Sequence, residues 1–341
     1  MSSSSRVTIA IPTYNRLPFL RQAIDSALSQ TYPNLELIIS DNASNDGTAE
    51  FVASIGNPRL LFLRQEANIG MLRNWNACLE RATGEFLLLL SDDDYLELSA
   101  IDKLVRPFRV ADDPDKIAFT YCRTWEVDHE GMKQRIDPIP PAYEEATDFA
   151  IAYFSGLRKM HPCSTLMRTA DLKEIGGYMQ GSVVLAVDAI AWSRILLKRG
   201  TVAAIAEPLS NYRIHPGSET STRVIDIWRN DIATLIGLWR SAFRDAPPQL
   251  QHRFNLAAAH YMSWELAAII NQSAKNRSGK ARAGRIGALG VYYHCRKEFR
   301  GVTGILNLAG GLMKLFVPEF VKRPIRDLML WREGSKRAST A

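Results

Sequence analysis

Residues Phe86-Leu87-Leu88-Leu89-Leu90 run without a polar side chain into Ser91-Asp92-Asp93-Asp94. A continuous apolar run bounded by polar residues suits a strand buried on both faces of a parallel sheet, where both side-chain rows meet packed helices. The carboxylates then stand at its carboxyl end, which is where open α/β sheets bind ligands. Three adjacent Asp side chains repel one another, so a local cation or a set of hydrogen-bond donors is expected to offset them. Hard oxygen ligands of this kind suit Mg²⁺ or Mn²⁺, with a phosphate completing the shell. A solvated acidic turn that caps the next helix is the simpler alternative.

The segments before that run alternate. Residues 6–12 read as a first strand, Thr13-Tyr14-Asn15 as a turn, and 17–30 as a helix with Leu20, Ile24, Ala27 and Leu28 on its apolar side. Further strands are expected over 35–40 and 60–64, and helices over 48–55 and about 71–81. Asp41 to Gly47 is loop chemistry. This alternation argues for a parallel α/β sheet. Parallel strands point their carboxyl ends the same way, so Tyr14 and Asn15, Asp41, and Asp92 to Asp94 converge on one crevice. Neither a Gly-x-Gly-x-x-Gly nor a Gly-x-x-x-x-Gly-Lys cradle for phosphate is present.

The apolar and charged fractions, 46% and 23%, exclude a disordered chain. Cys78, Cys122, Cys163 and Cys295 lie far apart with no C-x-x-C pair, which reads as buried reduced thiols of a cytoplasmic protein. The first residues hold no apolar core of a signal peptide, and no run of about 20 apolar residues predicts a membrane span. The charge is uneven. Residues 271–341 hold 15 Lys and Arg against 4 Asp and Glu, whereas the rest holds 27 against 32. A near-neutral body with a basic tail points to an anionic surface as a partner of that tail.

Three blocks then stand out in order: Ile11-Pro12-Thr13-Tyr14-Asn15-Arg16, Ser40-Asp41-Asn42-Ala43-Ser44-Asn45-Asp46-Gly47-Thr48, and Ala82-Thr83-Gly84-Glu85 running on to Asp94. Together they resemble family 2 glycosyltransferases, over residues 6 to about 221. The resemblance implies an α/β chain with the GT-A nucleotide-diphospho-sugar transferase fold, a Rossmann-like, mostly parallel sheet with mixed additions. That domain would occupy 1–221, and a helical, basic C-terminal extension 222–341.

The resemblance also implies roles. Pro12, Thr13 and Tyr14 lie against the nucleotide base, with Tyr14 stacking on it or packing on its own domain. Asp41 hydrogen-bonds the base, although Asp-Asn also forms turns unaided. Asn68, Gly70 and Arg73, with Asn74, begin a helix whose free N–H groups suit phosphate. Asp92 faces the ribose and Asp93 binds the divalent metal. Asp94 supports them or caps a helix over 98–108. Many relatives carry Asp where this chain has Ser91, which leaves the metal one protein ligand fewer; Mg²⁺, rich in water and phosphate ligands, tolerates that.

Beyond the acids, residues 117–127 read as a strand, paired with 133–136 across Asp128-His129-Glu130-Gly131, and Pro138, Pro140 and Pro141 mark an exposed loop. His161-Pro162-Cys163-Ser164 resembles the family's acceptor-side segment, with His161 structural. Asp188 opens a stretch similar to the family's E-D-x-x-L/W-x-x-R, with Val187 in place of the commoner Glu. By resemblance Asp188 is the general base that takes the acceptor hydroxyl proton; a lone Asp at a helix start is ordinarily an N-cap. Residues 208–218 match a further signature, in which His215 reaches the diphosphate or the metal, or orders its loop.

Helices are expected over 224–243, 249–271 and 280–299. Residues 302–317 are almost uncharged, and Lys322, Arg323, Arg326, Arg332, Lys336 and Arg337 follow with Leu328, Leu330 and Trp331 among them. That pairing suits an interfacial contact with an anionic membrane, or equally a packed helix with a solvated tail. Nucleic acid is not an expected partner, since the charge is terminal and no matching motif is present.

The expectation is an inverting glycosyltransferase dependent on Mn²⁺ or Mg²⁺. It would move a sugar from a nucleotide-diphosphate donor to a glycan or polyprenyl-diphosphate-linked acceptor, in bacterial cell-surface polysaccharide or O-antigen synthesis. Its place would be the cytoplasm, peripheral on the inner membrane face. A non-catalytic nucleotide-sugar-binding protein or a scaffold of the same fold is the second reading, which the presence of Asp188 disfavours. A nucleotidyltransferase wants a basic glycine-rich loop after the first strand, and Thr13-Tyr14-Asn15-Arg16 is not one.

Overall fold

The computed structural model describes residues 5–179, 181–215, 217 and 225–275. The chain divides into two compact units, Met1–Ala246 and Pro247–Ala341.

The first unit is built on a sheet whose elements follow the alternation of the sequence. They are β1 (Val7–Thr13), α1 (Leu17–Leu28), β2 (Leu35–Asp41), α2 (Thr48–Ile55), β3 (Leu60–Arg64), α3 (Met71–Arg81) and β4 (Phe86–Leu89). Next come β5 (Tyr95–Leu96), α4 (Ala100–Val110), β6 (Ile117–Val127), β7 (Lys133–Ile136), β8 (Tyr143–Glu145) and α5 (Ala146–Phe154). The unit closes with β9 (Thr165–Arg168), α6 (Thr169–Glu174), α7 (Val187–Arg199), β10 (Thr201–Arg213) and α8 (Ile225–Ala242).

Strand order is β3-β2-β1-β4-β9-β6-β10-β5. β1 pairs in parallel with β2 and β4, and β2 with β3. Every residue of β1, β2 and β4 is buried, as expected of central strands covered on both faces. On α1, Leu20, Ala23, Ile24 and Ala27 recur at helical spacing and pack into the core with Ile9, Ile11, Leu37 and Ile39. This helix stops two residues short of the expected 17–30. Gln30 instead turns its side-chain amide to Ser26 O and Glu97 O, and its carbonyl takes Ile101 N–H, tying α1 to α4.

Beyond β4 the sheet is mixed. β9 lies antiparallel between β4 and β6, and β10 runs parallel to β6 with register shifts around Pro208. β9 carries no alternation signal of its own, being four residues of unbroken burial apart from Arg168. Only its neighbours make it a strand.

At the amino ends of the strands, Glu36 gathers the N–H groups of Thr83 (2.7 Å) and Gly84 (3.0 Å), the hydroxyls of Thr8 and Thr83, and the charge of Arg6 at 3.2 Å. Burial works against its ionised form, but these donors outweigh it and hold the carboxyl below its ordinary value. The staple joins β1, β2 and the approach to β4.

The expected break after residue 221 is not where contacts thin out, because α8 belongs to the first unit. Trp239 Nε1 donates to Ser193 Oγ of α7 at 2.8 Å, and Ile232, Leu235, Ile236 and Trp239 are buried. Of the second unit, α9 (Pro248–Lys275) is described. The expected helix over 280–299, the apolar stretch 302–317, the basic tail and Cys295 lie outside the described residues. Cys78, Cys122 and Cys163 are buried free thiols. Among the described residues no helix is long and apolar enough to cross a membrane.

Candidate active site

The loops leaving β1 and β2 are fastened to one another. Asn42 N–H donates to Thr13 O at 2.9 Å, Asn15 N–H to Ser44 Oγ at 2.8 Å, and Asn45 N–H to Asn15 Oδ1 at 2.9 Å. Asp46 accepts from Leu17 N–H at 2.9 Å and from the Thr48 hydroxyl at 2.6 Å, which ties the starts of α1 and α2. The tight turns put Asn15 (φ +52°) and Ala43 (φ +65°) in the left-handed region. Asn tolerates that, whereas Ala is held there at a cost of roughly 1 kcal/mol. Such strain persists where the surroundings over-determine the backbone, often at ligand sites.

These loops present the expected base-side residues. Pro12 is buried in β1 opposite Ser40, Thr13 stands opposite Asp41, and Tyr14 is 45% exposed at the mouth. Asp41 is fully buried. Its Oδ1 takes Ser44 N–H at 3.0 Å, Arg64 Nε stands 3.7 Å from Oδ2, and Oδ2 receives no hydrogen bond from any described residue. A buried acceptor left open in this way is suited to a donor N–H from a ligand. Asn68 Oδ1 accepts from Asn42 Nδ2 (2.8 Å) and Gly70 N–H (2.9 Å), so Asn68 and Gly70 hang on the Asp41 loop. Gly70 (φ +86°) turns the chain into α3, and Arg73 is exposed on its first turn. Asn74 is not available to a phosphate: it is buried and exchanges bonds with Ser40 Oγ (2.7 Å) and Ser40 O (2.8 Å).

The three acids at the end of β4 are all buried. Two side chains meet Asp93 Oδ2: the Arg16 guanidinium, through Nη1 at 2.5 Å, and the His215 imidazole, through Nε2 at 3.0 Å. Arg16 also lies 3.6 Å from Asp92 Oδ1 and donates to Gly217 O at 2.7 Å. Burial, then the charge of Asp93, pushes the Asp92 carboxyl up to about 7, against the pull of Arg16, the Thr13 hydroxyl and Tyr14 N–H. The same two causes hold Asp94 well above the ordinary carboxylate range. Asp94 does not cap α4, whose first flanking residue is Ser99. Its Oδ1 instead accepts Arg213 N–H at 2.9 Å.

Arg213 is the residue that sequence reasoning passed over. It is 3% exposed. Its guanidinium donates to Asp93 O (2.9 Å), Asp128 O (3.1 Å), His129 O (2.7 Å) and Gln22 Oε1 (2.6 Å), and it lies over the rings of Phe19 and Tyr95. One buried cation thus sets the acidic turn, the β6–β7 turn and α1 together. Its signal in the sequence is its place two residues before His215, in Tyr212-Arg213-Ile214-His215. Arg16 likewise closes the block Ile11-Pro12-Thr13-Tyr14-Asn15-Arg16.

The Asp93 carboxylate is a hard oxygen ligand of the kind that suits Mn²⁺ or Mg²⁺, and Arg16 and His215, which both meet its Oδ2, mark that oxygen as the spot where positive charge is held. Among the described residues no three His, Cys, Asp or Glu side chains converge as a complete cage. The remaining ligands would be phosphate oxygens and water.

Asp188 stands on a separate element, as the second residue of α7. The N-cap is Ala186, not Asp188, and Asp188 Oδ1 accepts Ala189 N–H at 2.7 Å. Its charge adds to burial in raising the neighbouring Tyr178 phenol, which meets Trp75 of α3 edge-on at 5.2 Å. His161 stacks on Tyr212 with centroids 4.3 Å apart and stands 4.0 Å from Asp137.

The structure thus gathers Thr13, Tyr14, Asp92, Asp93 and His215 in one place. It links Asp41, Asn68 and Gly70 in a second chain of contacts beside Thr13. Arg73 stays on the surface of α3, and Asp188 belongs to α7.

An α/β sheet with acids at the carboxyl ends of its strands places them where proteins of the open α/β class bind their ligands. Residues 8–176 match the model of glycosyl transferase family 2, and the chain belongs to that family. It is 28% identical over 238 residues to an uncharacterised glycosyltransferase of Rickettsia typhi, covering 69% of this chain and 71% of that one. It is 36% identical over 104 residues to the GalNAc(5)-diNAcBac-PP-undecaprenol beta-1,3-glucosyltransferase of Campylobacter jejuni, covering 30% of this chain and 34% of that one. Among solved structures, S. aureus TarS with UDP-GlcNAc superposes with a TM-score of 0.61 at 16% identity, over 89% of each chain. The Pyrobaculum calidifontis mannosyltransferase with GDP-Man and Mn²⁺ does so with a TM-score of 0.53 at 22% identity, over 92% of this chain and 88% of that one. The fold is therefore the GT-A type, with the mixed sheet described above.

Proposed function

We propose that this glycosyltransferase transfers a sugar from a nucleotide-diphosphate donor to an acceptor hydroxyl with inversion, using a divalent cation. The observation that carries this reading is the convergence of Asp93, His215 and Arg16 at the end of β4, with Asp41 at the end of β2, on the far side of β1, keeping one oxygen without a hydrogen bond from a described residue. Asp41 and the Thr13–Tyr14 turn receive the base, Asp92 the ribose, and Asn68, Gly70 and Arg73 the phosphates. Asp93 and His215 would hold Mn²⁺ or Mg²⁺, whose charge would offset that of the leaving diphosphate. Asp188 accepts the proton of the attacking hydroxyl, the new bond forms to the anomeric carbon, and the bond to the diphosphate oxygen breaks on the opposite face. Neighbours in complex with UDP-GlcNAc and with GDP-Man and Mn²⁺ support the donor class.

The acceptor we propose is a polyprenyl-diphosphate-linked sugar or glycan of a cell-surface polysaccharide, handled at the cytoplasmic membrane face. The undecaprenol-linked acceptor in the name of the Campylobacter relative supports it, as does the basic balance of residues 271–341.

Calorimetric titration with UDP, GDP and dTDP, each with and without Mn²⁺, tests the donor site. One nucleotide is expected to bind with metal, and Asp93→Ala to lose that binding. A folded wild type that binds none of the three overturns the assignment and favours a scaffold.

A further inference from the structure

The helix α8 lies outside the matched family region, which ends at residue 176, yet it carries a buried acid. Asp231 is 2% exposed, and its Oδ2 accepts from the N–H groups of Val184 (3.1 Å), Leu185 (2.6 Å) and Ala186 (3.1 Å). Three consecutive N–H groups aimed at one oxygen form an anion cradle. This cradle is the entry to α7, whose N-cap residue, Ala186, has no side chain able to cap it. Asp231 supplies what the segment lacks: acceptors for N–H groups that would otherwise be unpaired, and negative charge at the positive end of the helix dipole.

A second tie lies eight residues further along α8, on the same side of the helix. Trp239 Nε1 donates to Ser193 Oγ at 2.8 Å, and Ser193 Oγ donates to Ala189 O at 2.7 Å. Asp188 lies between the two grips. Ala186, two residues before it, is held by Asp231. Ala189, one residue after it, is held through Ser193 by Trp239, and its own N–H is the donor to Asp188 Oδ1 at 2.7 Å.

We propose that Asp231 is a positioning residue for Asp188: its carboxylate fixes the first turn of α7 and so aims the base at the acceptor hydroxyl. The inference rests on the reading of Asp188 as the base. A base must meet the hydroxyl within hydrogen-bond reach, and a displacement of about 1 Å can cost on the order of a hundredfold in rate.

The test compares wild type, Asp188→Asn, Asp231→Asn and the double variant in the full chain. Nucleoside diphosphate release is followed from UDP-GlcNAc, UDP-glucose and GDP-mannose with Mn²⁺ and a polyprenyl-diphosphate-linked sugar. Asp231→Asn is expected to bind nucleotide within twofold of wild type, to lose at least tenfold in kcat, and to add nothing to Asp188→Asn. A folded Asp231→Asn with wild-type kcat overturns the proposal, and so does a loss that multiplies independently in the double variant. An active Asp188→Asn overturns the base reading itself, and the positioning role with it. Hydrogen exchange on the wild type needs no variant to fold. The amides of residues 184–186 are expected to exchange as slowly as the interior of α7, and exchange at open-loop rates overturns the cradle.

Discussion

At the scale of single residues, the informative positions are polar groups buried with their hydrogen bonds incomplete. Arg213 shows the complete case, with four acceptors around one guanidinium. Asp137 shows the opposite. Both its carboxylate oxygens are buried and receive no hydrogen bond from a described residue, with Lys159 and His161 each 4.0 Å away. Burial pushes Asp137 up to about 6, with Lys159 pulling the other way, and burial together with Lys159 drives His161 down to about 4. The two act on stability with opposite signs. Stability from the raised acid is fully present below about pH 4 and is lost as pH rises through about 6. Stability tied to the neutral imidazole is lost as pH falls from about 6.5 through about 4. In wild type the two offset each other across that window. Asp137→Asn is therefore expected to match or exceed wild type at pH 7, by on the order of 2 kcal/mol at most, and to fall more steeply between pH 6.5 and 4. Urea midpoints at several pH values measure this, and parallel curves for the two proteins would refute it.

At the scale of elements, the sheet is stapled at its amino ends and functional at its carboxyl ends. Gly84 belongs to the staple. A Cβ there would stand 2.6 Å from Thr8 N and Thr8 Oγ1 and 2.9 Å from Phe86 O, and two of those atoms are backbone that cannot swing aside. Gly84→Ala is expected to destabilise by about 1–3 kcal/mol, the usual cost of overfilling a packed site. Because the strain sits at the far ends of β1 and β4 from the acids, nucleotide affinity of the folded protein should not change. An unaltered urea midpoint, or a lowered affinity with unaltered stability, would contradict that separation. The strands β1, β2 and β4 and the helices α1 and α3 were legible because hydrophobic periodicity and turn chemistry are local. β9 and β5 were not, because Thr165–Arg168 and Tyr95–Leu96 carry neither a period nor the unbroken apolar run that marks β4. Their pairing is set by β4, β6 and β10.

At the scale of the whole molecule, the charge of the sequence is divided unevenly along the chain. Residues 271–341 carry nearly four times as many basic as acidic side chains, 15 against 4. Each Lys or Arg near an anionic membrane contributes about 1 kcal/mol, an attraction that salt screens. The full chain is expected to sediment with vesicles containing phosphatidylglycerol at low salt and to release at roughly 0.5 M salt, well beyond the screening of physiological buffer. Equal binding to phosphatidylcholine vesicles would show that charge is not the cause. By itself the sequence determined the α/β class, the parallel half of the sheet and the acids at the end of β4, since each rests on neighbours along the chain. Tertiary structure alone decided that Arg16 and His215 meet on Asp93, that Arg213 knits two turns to α1, that Asn74 is spent on Ser40, and that α8 grips the helix bearing Asp188. Those contacts join residues from 34 to 191 positions apart, and no local pattern records a partner that distant.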